Sequence, residues 1–111
     1  MNVRCSQKGN VYIVSLTGRW DTFSSPAFEQ TCAEHSWFPP GMRHVIIDAC
    51  EVDYISSFGL RSLLNLGKLL EPLQGSVRVS GLQGQVQKIF VGSGFGSLFP
   101  AYPDINAALA V

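Results

Sequence analysis

Apolar residues fall in short runs whose period changes along the chain, and turn residues separate them. Val3 to Ser6 and Val11 to Leu16 read as two strands joined at the turn signal Gly9-Asn10. Gly18 is expected to stop the second strand. Asp21, Thr22 and Ser24 offer capping oxygens for a helix over about residues 24–35, with Pro26 in its first turn. Pro39-Pro40-Gly41 then forces a loop. His44 to Asp48 is a short β-branched run suited to a central buried strand. Ser76 to Ser80 reads as another strand, and Val86, Ile89 and Phe90 predict a helix over Gln83 to Val91, ended by Gly92-Ser93-Gly94-Phe95-Gly96. Leu98-Phe99 is expected as a last short strand, with Asp104 capping a small helix over Ile105 to Ala110. Two strands followed by repeated α–β units imply an α/β fold, a mixed sheet with helices packed on it.

The segment Leu60 to Leu70 is the most helical in pattern. Projected at about 100° per residue, Leu60, Leu63, Leu64, Gly67 and Leu70 share one side, an ordinary core face. Phe58, Leu66 and Leu69 gather on roughly the opposite side, around Ser62. Either both faces are buried within the domain, or the second stripe belongs to a partner. Pro72 and Gly75 close the helix.

At 111 residues and 46% hydrophobic composition, one compact domain over residues 1–111 is expected. The net charge of +0 and the scattered Lys and Arg argue against a nucleic-acid stripe or an anionic membrane surface. Cys5, Cys32 and Cys50 are odd in number and far apart, so reduced thiols are expected rather than a disulfide framework or zinc site. No signal-peptide core or membrane-length segment is visible, and the expected location is the cytoplasm. No cofactor or metal is called for.

The candidate chemistry lies in Val52-Asp53-Tyr54-Ile55-Ser56-Ser57-Phe58-Gly59-Leu60-Arg61, where a connection after a strand meets the head of a helix. Unpaired amides and the positive end of the helix dipole favour an added phosphate there. One of the two serines is equally suited to be a plain N-cap. Ser57 with Gly59 gives half of a G-x-S-x-G nucleophile elbow, but Ile55 holds the first glycine position. The base for such a nucleophile would be His35 or His44, each better read as a capping or solvated histidine. The glycine run after residue 91 follows a helix instead of opening one and lacks a Lys-Ser/Thr pair, so it is no phosphate loop. Asp21, Asp48, Glu51 and Asp53 lack ligand spacing for a metal and suit turn or cap duty.

Leu16-Thr17-Gly18-Arg19-Trp20-Asp21, Val45-Ile46-Ile47-Asp48 and Tyr54-Ile55-Ser56-Ser57-Phe58-Gly59-Leu60 together resemble the STAS domain of sulfate transporters and bacterial anti-sigma factor antagonists. The segment from Ser76 to Phe99 is similar to that family's closing strand–helix–loop. The resemblance implies a mixed four- to five-stranded sheet flanked by about four α-helices, and a non-enzymatic binding role. It implies as partners a serine-kinase anti-sigma factor of the GHKL ATPase type and a PP2C-type phosphatase, with weak homodimerisation as a further option. The matching phosphate acceptor is Ser57. Asp21 matches an acidic position near the partner surface, and Arg61 lies on the helix presented to the kinase. With Ser56, Phe58, Gly59, Ser62, Leu66 and Leu69 these make the expected partner-binding set. Antagonists usually carry Asp immediately before the acceptor and a small hydroxyl residue after it; this chain has Ser56 and Phe58. A stand-alone subunit docked on the ATPase of an ABC-type lipid transporter, or in a larger signalling assembly, is the alternative within the fold. A small serine hydrolase using Ser57 is the alternative outside it.

Overall fold

A computed structural model describes residues 2–21 and 43–110. The helix expected over about residues 24–35, with Cys32 and His35, lies outside them. Five strands form one sheet in the order β1 (Asn2–Lys8), β2 (Val11–Trp20), β3 (His44–Ile55), β4 (Ser76–Ser80) and β5 (Ala101–Tyr102). The first pair is antiparallel and the other three are parallel, so the sheet is mixed. Among the described residues there are three α-helices: α1 (Ser57–Leu70), α2 (Gly84–Gly92) and α3 (Ile105–Leu109).

Strand periodicity sorts the core into two layers. Tyr12, Val14 and Leu16 of β2 and Val45, Ile47 and Ala49 of β3 pack under α1 and α2 with Leu63, Leu66, Leu70, Val86 and Phe90. The intervening Val11, Ile13 and Ile46 point to the other face, where α3 covers them through Ala108 and Ile105. Both faces of the central strands are therefore buried, as parallel strands joined by helical crossovers require. This accounts for continuous apolar runs such as Val45-Ile46-Ile47.

Strand ends differ from expectation at three places, and two of them build the site. Gly18 does not stop β2. It adopts φ +100°, in the left-handed region open to glycine, and absorbs a bulge at which the register with β3 shifts. Strand β3 likewise runs past Asp48 to Ile55, although β4 accompanies it only as far as Asp48. The far halves of β2 and β3 thus form a two-stranded ribbon extending beyond the sheet, ending at the pair Trp20 and Ile55. The third difference is at the C-terminal side, where the last strand is Ala101–Tyr102 and not Leu98-Phe99. The amides of Leu98 and Phe99 both donate to the Phe95 carbonyl in a 3-10 turn, so neither is free for a ladder. Phe99 is buried instead against Gly67 of α1.

Candidate functional site

The ribbon delivers the chain to the head of α1, and Ser56 makes the joint. Its backbone is extended (φ −102°, ψ 176°), its amide donates to the Trp20 carbonyl at 3.0 Å, and its carbonyl accepts from Leu60 at 3.0 Å. Its Oγ accepts from the Phe58 amide at 3.2 Å, so Ser56 is the N-cap. Ser57 is the first residue inside the helix and is exposed. No hydrogen bond engages its hydroxyl among the described residues. The first turn holds no acidic side chain, so the positive end of this 14-residue helix is uncompensated from within.

Gly59 fixes how closely helix and ribbon meet. A Cβ there would lie 2.6 Å from the Trp20 carbonyl oxygen and 2.9 Å from Ile55 Cγ1. On the ribbon, Arg19 Nε lies 3.3 Å from Asp21 Oδ2, and its guanidinium sits 4.3 Å from the centre of the Tyr54 ring. The Arg61 guanidinium lies 5.5 Å from the centre of the Phe58 ring. Asp21, Ser56, Ser57, Phe58, Gly59 and Arg61 therefore come together where the ribbon meets the head of α1.

The rest of the expected set divides. The buried face of α1 is centred on Leu63, Leu66 and Leu70, turned toward Ser62 from the face the leucines alone suggest. Leu66 is wholly buried in the main core and Ser62 is 2% exposed, so neither belongs to a docking surface. The close approach at Gly59 draws that flank of the helix inward, while Gly67, on the face the leucines suggest, is half-buried, and a Cβ there would lie 2.8 Å from the Phe99 ring. Leu64 becomes the half-buried margin. Phe58 and Leu69 remain 45% exposed, about 16 Å apart along the helix by its rise per residue. Between them the exposed stripe carries Arg61, Asn65 and Lys68. Asn65 and Lys68 follow Arg61 at positions four and seven later, a spacing visible in the sequence once polar residues are projected instead of apolar ones. Arg19 and the Trp20 carbonyl carried no such signal, because their roles depend on pairing with β3.

Other chemistry is placed elsewhere. His44 opens β3, with Nδ1 2.8 Å from Ser76 Oγ, while Ser57 follows the other end of that 12-residue strand. With the whole length of the strand between them, His44 is far out of hydrogen-bond reach and is no base for Ser57. Asp48 accepts from the Cys50 amide at 3.2 Å and from Ser15 Oγ at 3.4 Å, and Glu51 accepts from Thr17 Oγ1 at 3.3 Å. Those carboxylates hold turns and strand pairs, and no group of three metal-ligating side chains occurs among the described residues. Burial pushes the Cys5 thiol up. It does the same to Cys50, helped by the hydrogen bond and charge of Asp48 and the charge of Glu51. Raised thiols make poor nucleophiles at neutral pH. No described helix is long and apolar enough to cross a membrane.

The STAS domain family model matches residues 2–108, and the chain belongs to that family. Among curated proteins, it is similar to BtrV of Bordetella bronchiseptica, a candidate anti-sigma factor antagonist, at 41% identity over 70 residues. That match covers 63% of this chain and 60% of the relative, so the chain spans about three fifths of the relative's length. Among solved structures, an anti-sigma factor antagonist from Mycobacterium paratuberculosis is 25% identical with a TM-score of 0.85, covering 98% of this chain and 91% of that one. A candidate anti-sigma factor antagonist from Thermotoga maritima shares the fold at 16% identity and a TM-score of 0.88, covering 97% and 92% of the two chains.

Proposed function

We propose that this STAS domain is an anti-sigma factor antagonist, a regulatory binding protein and not an enzyme. Its partner is a serine-kinase anti-sigma factor, and reversible phosphorylation of Ser57 switches the association, with a PP2C-type phosphatase resetting it. The observation that carries this reading is the division of labour between adjacent serines. Ser56 caps the helix, which leaves the Ser57 hydroxyl exposed and unengaged at the positive helix end. The similarity to antagonists across nearly the whole fold supports the choice of partner class.

The kinase meets the exposed stripe of α1: Phe58 and Leu69 supply apolar contact, with Arg61, Asn65 and Lys68 between them, and Asp21 lies beside the helix head. A phosphate on Ser57 adds about −1.5 to −2 charges. The helix N-terminus tolerates that charge in solvent, but a desolvated interface does not. Incubation with ATP and a purified cognate serine-kinase anti-sigma factor tests the proposal. Phosphate incorporation is expected in the wild type and in Ser56→Ala, and is lost in Ser57→Ala. Equal labelling of Ser57→Ala and wild type removes Ser57 from the role.

A further inference from the structure

Two arginines near Ser57 rest on aromatic rings, and they differ in what else holds them. Arg19 lies over Tyr54 at 4.3 Å and is also fixed by Asp21 at 3.3 Å. Arg61 lies over Phe58 at the longer distance of 5.5 Å and pairs with no carboxylate among the described residues. No acidic residue occurs anywhere in α1 to compete for it. Residues four apart on a helix are surface neighbours, so Arg61 reaches the position of the Ser57 side chain from one turn away. Lys68, the other cation of the helix, lies two further turns along and is out of reach. Among the described residues, the remaining charges near the helix head are Arg19 and Asp53 of the ribbon and Asp21 just past its end, and the two carboxylates repel a phosphate.

An exposed cation–π contact is weak, whereas a guanidinium paired with a phosphate dianion makes charge-assisted, geometrically matched hydrogen bonds. We propose that Arg61 is the receptor for the Ser57 phosphate: on phosphorylation it leaves the Phe58 ring and pairs with the phosphate. The exchange withdraws the cation nearest the helix head from the docking stripe and uncovers the Phe58 ring beside an anion. Phosphorylation thereby changes what a partner meets at two positions besides Ser57 itself. This rests on Ser57 being the modified residue, and it deepens that reading by naming the group that answers the phosphate.

Phosphoserine installed at position 57 during translation by an expanded genetic code tests the exchange without any kinase. Phosphorus NMR follows the second ionisation of the phosphate, which lies near pH 6 in a free chain. Aromatic carbon–proton spectra follow the Phe58 ring with and without the phosphate. The ionisation is expected at lower pH in the wild type than in Arg61→Gln, with Arg19→Gln behaving as wild type. The phosphate-induced change at the Phe58 ring is expected to be larger in the wild type than in Arg61→Gln, since only there does a guanidinium leave it. Because Arg61 is exposed, Arg61→Gln keeps the fold. Identical ionisation in wild type and Arg61→Gln, an equal ring response in both, or an effect carried by Arg19→Gln instead overturns the proposal. Failure of kinases to label Ser57 would leave these outcomes unchanged, so the two readings fail separately.

Discussion

At the scale of single residues, Ser56 and Ser57 differ by one position and have opposite demands placed on them. The Ser56 hydroxyl satisfies the Phe58 amide at 3.2 Å, an otherwise orphaned donor at the helix start. Ser56→Ala is expected to cost about 1 kcal/mol in chemical denaturation. Ser57→Ala is expected to change stability by less than about 0.5 kcal/mol, as for other exposed positions. A larger loss at Ser57 than at Ser56 would reverse the assignment of cap and free hydroxyl. Gly59 is constrained by space. Alanine has the better helix propensity, but its Cβ would press on the Trp20 carbonyl at 2.6 Å, a backbone atom already accepting from the Ser56 amide. Gly59→Ala is therefore expected to destabilise by about 1–3 kcal/mol. Hydrogen exchange at the Ser56 amide should quicken in that variant, and an unchanged rate would show that the ribbon gives way without losing the joint.

Among the elements, α1 carries most of the functional argument, and its rotation decides which leucines a partner can meet. The two apolar stripes in its sequence are real, but the helix buries the arc between them, so Leu66 goes to the core and Leu69 stays out. Leu66→Ala is expected to cost about 2–5 kcal/mol, while Leu69→Ala is expected to leave the unfolding midpoint nearly unchanged and to weaken partner binding. Similar midpoints for the two variants would place both residues on the surface. The sequence made the helix, its cap region and the paired strands legible, because period and turn chemistry are local. It did not make the rotation legible. That follows from Gly59 meeting Trp20, a contact between segments far apart in the chain. The ribbon was hidden for the same reason: Gly18 reads as a stop until β3 is seen running beside it through the bulge. The cap and the free hydroxyl beside it were thus visible beforehand as a pair of serines, while the surface around them depended on tertiary packing.

For the whole molecule, the question is whether a phosphate at one corner can act by changing the fold. The net charge is +0, so adding about two negative charges creates no large self-repulsion. Ser57 is exposed and stands outside both core layers, with the ribbon and α1 joined through Ser56 and Gly59 instead. A domain of this size is stabilised by about 5–15 kcal/mol, whereas an anion at an exposed helix N-terminus contributes about 0.3–1 kcal/mol, and in the stabilising direction. Unfolding or repacking by phosphorylation is thus excluded by magnitude and by sign. Binding is the quantity left to respond, because a phosphate dianion paired with one guanidinium still carries net negative charge, and burying it at an interface costs more than the helix end returns. The phosphorylated protein is therefore expected to melt at the same temperature or slightly higher than the unmodified one. Changes in its amide spectrum should be confined to the helix head from Ser56 to Arg61 and the ribbon end from Arg19 to Asp21. Differential scanning calorimetry and a nitrogen–proton correlation spectrum on the two forms check this. A lowered melting temperature, or shifts spreading to β4 and α3, would mean that the switch works through the core and not at the surface of α1.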